Sequence, residues 1–119
     1  MIIGHGIDLQ EISRIELAYQ KNISFIDKVL TENEKKKFNS FVSFQRKMEY
    51  LTGRWAAKEA FSKALGTGIG QLSFLDLEVL SDDNGAPILR QSVFSGKVHL
   101  SISHTASLAQ ASVILEDKI

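Results

Sequence analysis

Apolar and polar positions along this chain follow first a strand-like alternation, then a helical spacing, then alternation again. Residues 2–9 (IIGHGIDL) predict a strand with Ile3 and Ile7 on one face, weakened at Gly4 and Gly6 or opened there to close approach by another backbone. From Glu11 to Lys28, Ile12, Ile15, Leu17, Tyr19, Ile23, Phe25 and Ile26 predict helical packing broken near Asn22 or Ser24. Thr31, Glu32 and Glu34 (T-x-x-E) form a capping-box entry into a short helix running through Phe41. The strongest element spans Phe44 to Gly66. Met48, Leu51 and Trp55 recur on one stripe and Ala57, Ala60, Phe61 and Ala64 on another, the mark of a central helix buried in the domain or at a subunit contact. Trp55 and the phenylalanines read as core.

Beyond the turn GTGIG the period becomes two. Leu75, Leu77 and Val79 alternate with Asp76 and Glu78, SDDNGAP supplies a turn, and Pro87 to Arg90 is the hairpin partner. Val98, Leu100 and Ile102, then Ala109, Ala111, Val113 and Leu115, alternate on either side of the turn around HTAS. A strand, then helices, then consecutive strands predicts an α+β fold, a single domain over 1–119 with a long central helix packed on a mainly antiparallel sheet.

Composition narrows the function. With 119 residues and 44% hydrophobic content the chain can bury its own core, and no linker suggests a second domain. The absence of cysteine excludes disulfides and thiolate metal sites, and MIIGHGIDLQ lacks the features of a signal peptide. No run approaches the roughly eighteen apolar residues of a membrane span. The expectation is a soluble cytoplasmic protein without a membrane partner. Net charge is zero, but residues 1–63 hold 11 of the 14 Lys and Arg and 8 of the 14 Asp and Glu. That asymmetry argues against general nucleic-acid binding and leaves room for a local basic face toward an acidic partner.

Several polar residues could carry chemistry. Asp8, closing the first strand, could hold a hard cation or cap the following helix. Arg14 ordinarily would be a solvated position or a surface ion pair. Glu59 and Lys63 are i,i+4 neighbours in KEAFSK, where the plain reading is a helix-stabilising ion pair. On a helix with two apolar stripes, desolvation makes a metal or anion nearby an equal alternative. GTGIG follows a helix and lacks P-loop and dinucleotide spacing, so Gly66 reads as a helix terminator that would also let a phosphate approach. His104, in SISHT, could bond backbone or contact a phosphate or ring.

In their order and spacing, GIDLQEISR, GRWAAKEAFSKALGTGIG and LSISHT resemble the holo-acyl-carrier-protein synthase family of 4′-phosphopantetheinyl transferases, through essentially the whole chain. The resemblance implies transfer of phosphopantetheine from coenzyme A to a serine of apo-acyl carrier protein, with release of 3′,5′-ADP. It implies Mg²⁺ on Asp8 and Glu59, and catalytic roles for Glu59, Lys63 and His104. It also implies a coenzyme A region containing Arg46, Arg54, Lys63, Gly66 and His104, and a carrier-docking surface of Arg14, Lys21, Phe25 and Lys28. A homotrimer with active sites at subunit boundaries is implied too. Two rival classes remain at this stage: a coenzyme A-dependent acyltransferase using His104 as base, and a non-catalytic carrier- or nucleotide-binding module.

Overall fold

The first strand approaches the central helix so closely that only glycine fits between them. The computed structural model, which describes residues 1–68 and 71–118, begins with β1 (Ile2–Glu11) and four helices, α1 (Ile12–Lys21), α2 (Phe25–Val29), α3 (Glu32–Ser40) and α4 (Phe44–Leu65). A hairpin of β2 (Glu78–Ser81) and β3 (Pro87–Arg90) follows, then β4 (Lys97–His104) and β5 (Leu108–Glu116). β1, β5 and β4 form an antiparallel sheet in that order, while β2 and β3 form a separate two-stranded one. The α+β expectation holds, with two sheets where one was expected.

α4 lies on the three-stranded sheet. Its Ala56, Ala57, Ala60 and Phe61 pack with Leu77, Val79, Ala111, Val113 and Leu115, while Met48 and Leu51 join Ile12, Ile15, Val29, Leu30 and Phe38 in a second cluster. The two predicted stripes therefore face two cores. The alanines bring helix and sheet close together, and a Cβ at Gly6 or Gly4 would collide with the carbonyl oxygen of Ala60 or Ala64.

That close approach reverses the expected face of β1. Its alternation is real, but Gly6 and Asp8 are the buried positions, whereas Ile3, Ile7 and Leu9 are exposed. The larger side chains cannot occupy the side where the α4 backbone comes so near. Leu75 is likewise exposed: residues 74–76 form a 3₁₀ turn capped by Ser73, and β2 begins only at Glu78. Phe44 also leaves the core, whereas Phe38 and Phe61 are fully buried.

The helix ends follow from local chemistry. Asn22 terminates α1, as the predicted break requires. Thr31 and Glu34 make the reciprocal capping box. Ser43 caps α4, and Gly66 ends it in the left-handed region at φ 83°, where its N–H reaches the Ser62 and Lys63 carbonyls.

Glu34 does more than cap. Its Oε1 accepts from Lys58 Nζ at 2.7 Å, its Oε2 accepts from the Val79 N–H at 2.6 Å, and Lys58 also donates to the Val29 carbonyl at 2.6 Å. Both side chains are wholly buried, so this pair ties α4 to the end of α2, the start of α3 and the hairpin. Burial pulls the Lys58 ammonium below the usual lysine range, and the Glu34 charge opposes that shift. Lys58→Ala leaves a buried carboxylate without its cation and is expected to destabilise by about 3–5 kcal/mol in urea unfolding. Lys58→Met with Glu34→Gln should be less destabilised than Lys58→Ala, because no charge is then stranded.

Candidate active site

β1 and the last turns of α4 build one half of the candidate site. Asp8 is only 6% exposed, carried inward by the glycine-lined side of the strand. Its Oδ1 accepts from Lys63 Nζ at 3.0 Å and its Oδ2 accepts from Gln10 Nε2 at 3.0 Å. Lys63 Nζ also donates to the Ile7 carbonyl at 3.0 Å. The helix-cap alternative for Asp8 falls, since Glu11 occupies the N-cap of α1 and makes no side-chain cap bond. The simple Glu59–Lys63 ion pair falls as well, because Lys63 pairs with Asp8. Gly66 follows one turn later, with no atom of the described residues, its chain neighbours aside, within 4 Å of where a Cβ would stand.

Glu59 completes this half. Burial raises its pKa above the ordinary carboxylate range; the nearby negative charge of Asp8 adds to the rise, and Lys63 opposes it. Two carboxylates close enough to feel each other in a partly desolvated place are a hard-oxygen donor set suited to a divalent cation. Among the described residues no group of three or more His, Cys, Asp or Glu gathers around a common point. By the chemistry of their oxygens alone, Asp8 and Glu59 fit Mg²⁺, which typically takes one or two carboxylates and completes its shell with water and substrate phosphates.

A second half lies elsewhere on α4. Arg46, Arg54 and His104 line a cleft of about 330 Å³ with Lys37, Phe41 and Glu49. The Arg54 guanidinium lies 4.3 Å from the Tyr50 ring centroid, and its Nε is buried without a hydrogen-bond partner among the described residues. Tyr50 donates its hydroxyl to the Glu34 carbonyl at 3.2 Å, and burial pushes its pKa up to about 12. Arg46 lies 5.1 Å from the Phe41 centroid, and His104 Nδ1 lies 3.9 Å from Glu49.

The two halves do not converge on this chain. Asp8, Glu59 and Lys63 are not among the described residues lining the cleft. Arg54 and Lys63 are nine residues apart on α4, about 14 Å along the axis and half a turn around it. Of the GTGIG turn, Ile69 and Gly70 lie outside the described residues.

The basic face is a third feature. Arg14 and Lys21 are exposed two turns apart on α1, Lys28 is exposed on α2, and half-buried Phe25 rests on Trp55 with ring centroids 5.6 Å apart. Leu17 and Ile23, expected to pack inward, are instead exposed between these cations. Sequence reasoning also missed Lys37 and Glu49. Glu49 carried a usable signal, standing one helical turn after Arg46.

A family model described as the 4′-phosphopantetheinyl transferase superfamily matches residues 4–115. The chain is 59% identical over 118 residues to a holo-acyl-carrier-protein synthase of Streptococcus pyogenes serotype M28, covering 99% of each sequence. A holo-acyl-carrier-protein synthase from Bacillus anthracis, solved in complex with coenzyme A (3′,5′-ADP), superimposes with a TM-score of 0.92 at 50% identity, covering 99% of each chain. A coenzyme A complex of the Helicobacter pylori synthase has a TM-score of 0.82 at 32% identity, covering 94% of this chain and 99% of that one. The chain with the Asp8–Lys63 pair and the neighbouring Glu59 belongs to the 4′-phosphopantetheinyl transferase superfamily.

Proposed function

We propose that this chain is a holo-acyl-carrier-protein synthase: it transfers 4′-phosphopantetheine from coenzyme A to a serine of apo-acyl carrier protein, releasing 3′,5′-ADP. The observation that carries the proposal is the buried Asp8 paired with Lys63, with Glu59 near enough to feel both charges, in a member of this family. In the proposed reaction the serine oxygen attacks the phosphorus that bears the pantetheine arm. A new P–O bond forms as the bond to 3′,5′-ADP breaks, and the serine proton passes to Glu59 directly or through water.

Asp8 and Glu59 would hold Mg²⁺, which when bound supplies charge neutralisation at the pyrophosphate. Lys63 sits where its ammonium can stabilise charge on the transferring phosphate or on the departing nucleotide. Arg46, Arg54 and His104 supply an anion-binding cleft for the rest of coenzyme A, and the described residues leave space beside Gly66, near the α4 terminus, for a phosphate. Detection of 3′,5′-ADP in step with holo-carrier formation tests the reaction. An acylated carrier with coenzyme A intact would instead identify a coenzyme A-dependent acyltransferase, the class in which His104 would be the candidate base.

The separation of the halves supports a homotrimer in which the Asp8–Glu59–Lys63 half of one subunit meets the Arg46–Arg54–His104 half of a neighbour. The exposed Ile3, Ile7 and Leu9 give β1 an apolar face suited to such an assembly. The setting proposed for the reaction is the cytoplasm; no helix among the described residues is long and apolar enough to cross a membrane.

Arg14, Lys21, Phe25 and Lys28 would form the docking face for an acidic carrier. Complementary charge there steers encounter and orients the partner. Arg14→Glu is expected to raise the apparent KM for apo-carrier about tenfold and leave that for coenzyme A near wild type, in steady-state assays varying each substrate. Equal increases in both would count against docking on this face.

A further inference from the structure

Glu49 is the only carboxylate among the described residues lining the cleft, which otherwise presents Lys37, Arg46, Arg54 and His104. A carboxylate there opposes an anionic ligand, so its presence calls for a compensating role. Its contacts supply one. Oε1 lies 3.8 Å from Arg46 Nε, while Oε2 lies 3.9 Å from His104 Nδ1 and accepts from Gln45 Nε2 at 3.1 Å. The same Gln45 amide donates to the Ala106 carbonyl at 3.2 Å, two residues beyond His104. Glu49 is itself 14% exposed, whereas Arg46 is 64% exposed and has the Phe41 ring as its other neighbour. One half-buried carboxylate thus comes within 4 Å of two of the groups that would meet the ligand, and through Gln45 reaches the turn that carries one of them.

We propose that Glu49 is a positioning residue of this cleft: it holds the Arg46 guanidinium over Phe41 and draws the Nδ1 edge of His104 toward itself, leaving Nε2 to face the anionic nucleotide portion of coenzyme A. The inference rests on the reading of the cleft as part of the coenzyme A site. Glu49 touches no reacting atom in this account; it acts through Arg46 and His104.

Calorimetric binding of 3′,5′-ADP and steady-state kinetics test it on the full chain and on the E49Q, E49D, H104A, E49Q/H104A and R54A variants. Wild type binds 3′,5′-ADP and R54A binds it more weakly. E49Q weakens that binding about five- to tenfold and raises the apparent KM for coenzyme A by a similar factor, without changing the KM for carrier protein or the melting temperature. E49D, which keeps the charge, recovers part of the loss, and E49Q costs less in the H104A background because one positioned group is gone. If R54A weakens binding and E49Q does not, or if the E49Q and H104A losses add in full, the positioning role is overturned and the cleft stands. If wild type fails to bind 3′,5′-ADP, or R54A binds it undiminished, the cleft reading fails and takes the positioning role with it.

Discussion

Glu59→Gln is expected to lower turnover by at least about a hundredfold at saturating Mg²⁺ while raising the melting temperature of the metal-free chain at neutral pH. Both effects come from the same placement. Burial and the Asp8 charge raise the Glu59 pKa, so the folded state holds this proton more tightly than the unfolded chain does. Stability from that preference is present below the ordinary glutamate value, about pH 4.3, and is lost as pH rises through the raised folded value. At neutral pH the ionised Glu59 therefore opposes folding until a cation meets it. Glutamine removes the unfavourable charge, and with it the carboxylate proposed as metal ligand and proton acceptor. Thermal melts should show Mg²⁺ stabilising wild type and having little effect on the variant. Near-normal turnover of Glu59→Gln would remove Glu59 from both roles.

Gly6→Ala should damage fold and activity together. The added methyl would collide with the Ala60 carbonyl oxygen and lie 2.7 Å from the Ala64 nitrogen, and neither helix backbone atom can rotate away as a side chain can. Overpacking of this kind typically costs about 1–3 kcal/mol. The displacement would reach Asp8, two residues on, whose contact with Lys63 depends on how deeply β1 sits. Because a misplacement of about 1 Å can cost a hundredfold in rate, turnover should fall further than stability alone explains. Denaturant unfolding and turnover on the refolded variant check this. Wild-type values in both would mean that β1 has room to spare against α4.

Much of the fold was legible because local chemistry and periodicity agreed. The T-x-x-E capping box, the run from Phe44 to the Gly66 terminator and the Pro87–Arg90 strand all appear where their residues indicate. The inward side of β1 was not legible. Alternation establishes two faces, but an apolar face normally reads as the buried one, and here Gly6 and Asp8 face α4 while Ile3 and Ile7 do not. Leu75 misled for a related reason: Ser73 and Asp76 form a local cap that interrupts the apparent strand.

The candidate site was legible as a set of residues and not as an arrangement. Asp8 and Lys63 pair, with Glu59 near enough to feel both charges, but Lys63 turns to Asp8 on the strand, which i,i+4 spacing cannot reveal. The same spacing gave no sign that Lys58 would be buried against Glu34, 24 residues away. Arg54 and Lys63 stand nine residues apart on one helix, and so on opposite sides of it, as the predicted helix already implied; which residues join each side emerged only with the three-dimensional fold. Glu49 was overlooked because its one sequence signal, the i,i+3 spacing from Arg46, reads equally as an ion pair on a solvated helix face.

The most direct measurement is the intact mass of a purified apo-acyl carrier protein incubated with this chain and coenzyme A, in Mg²⁺ or in EDTA. A gain of one phosphopantetheine unit is expected in Mg²⁺ and none in EDTA. No gain with any of several apo-carriers, or an equal gain in EDTA, would contradict it.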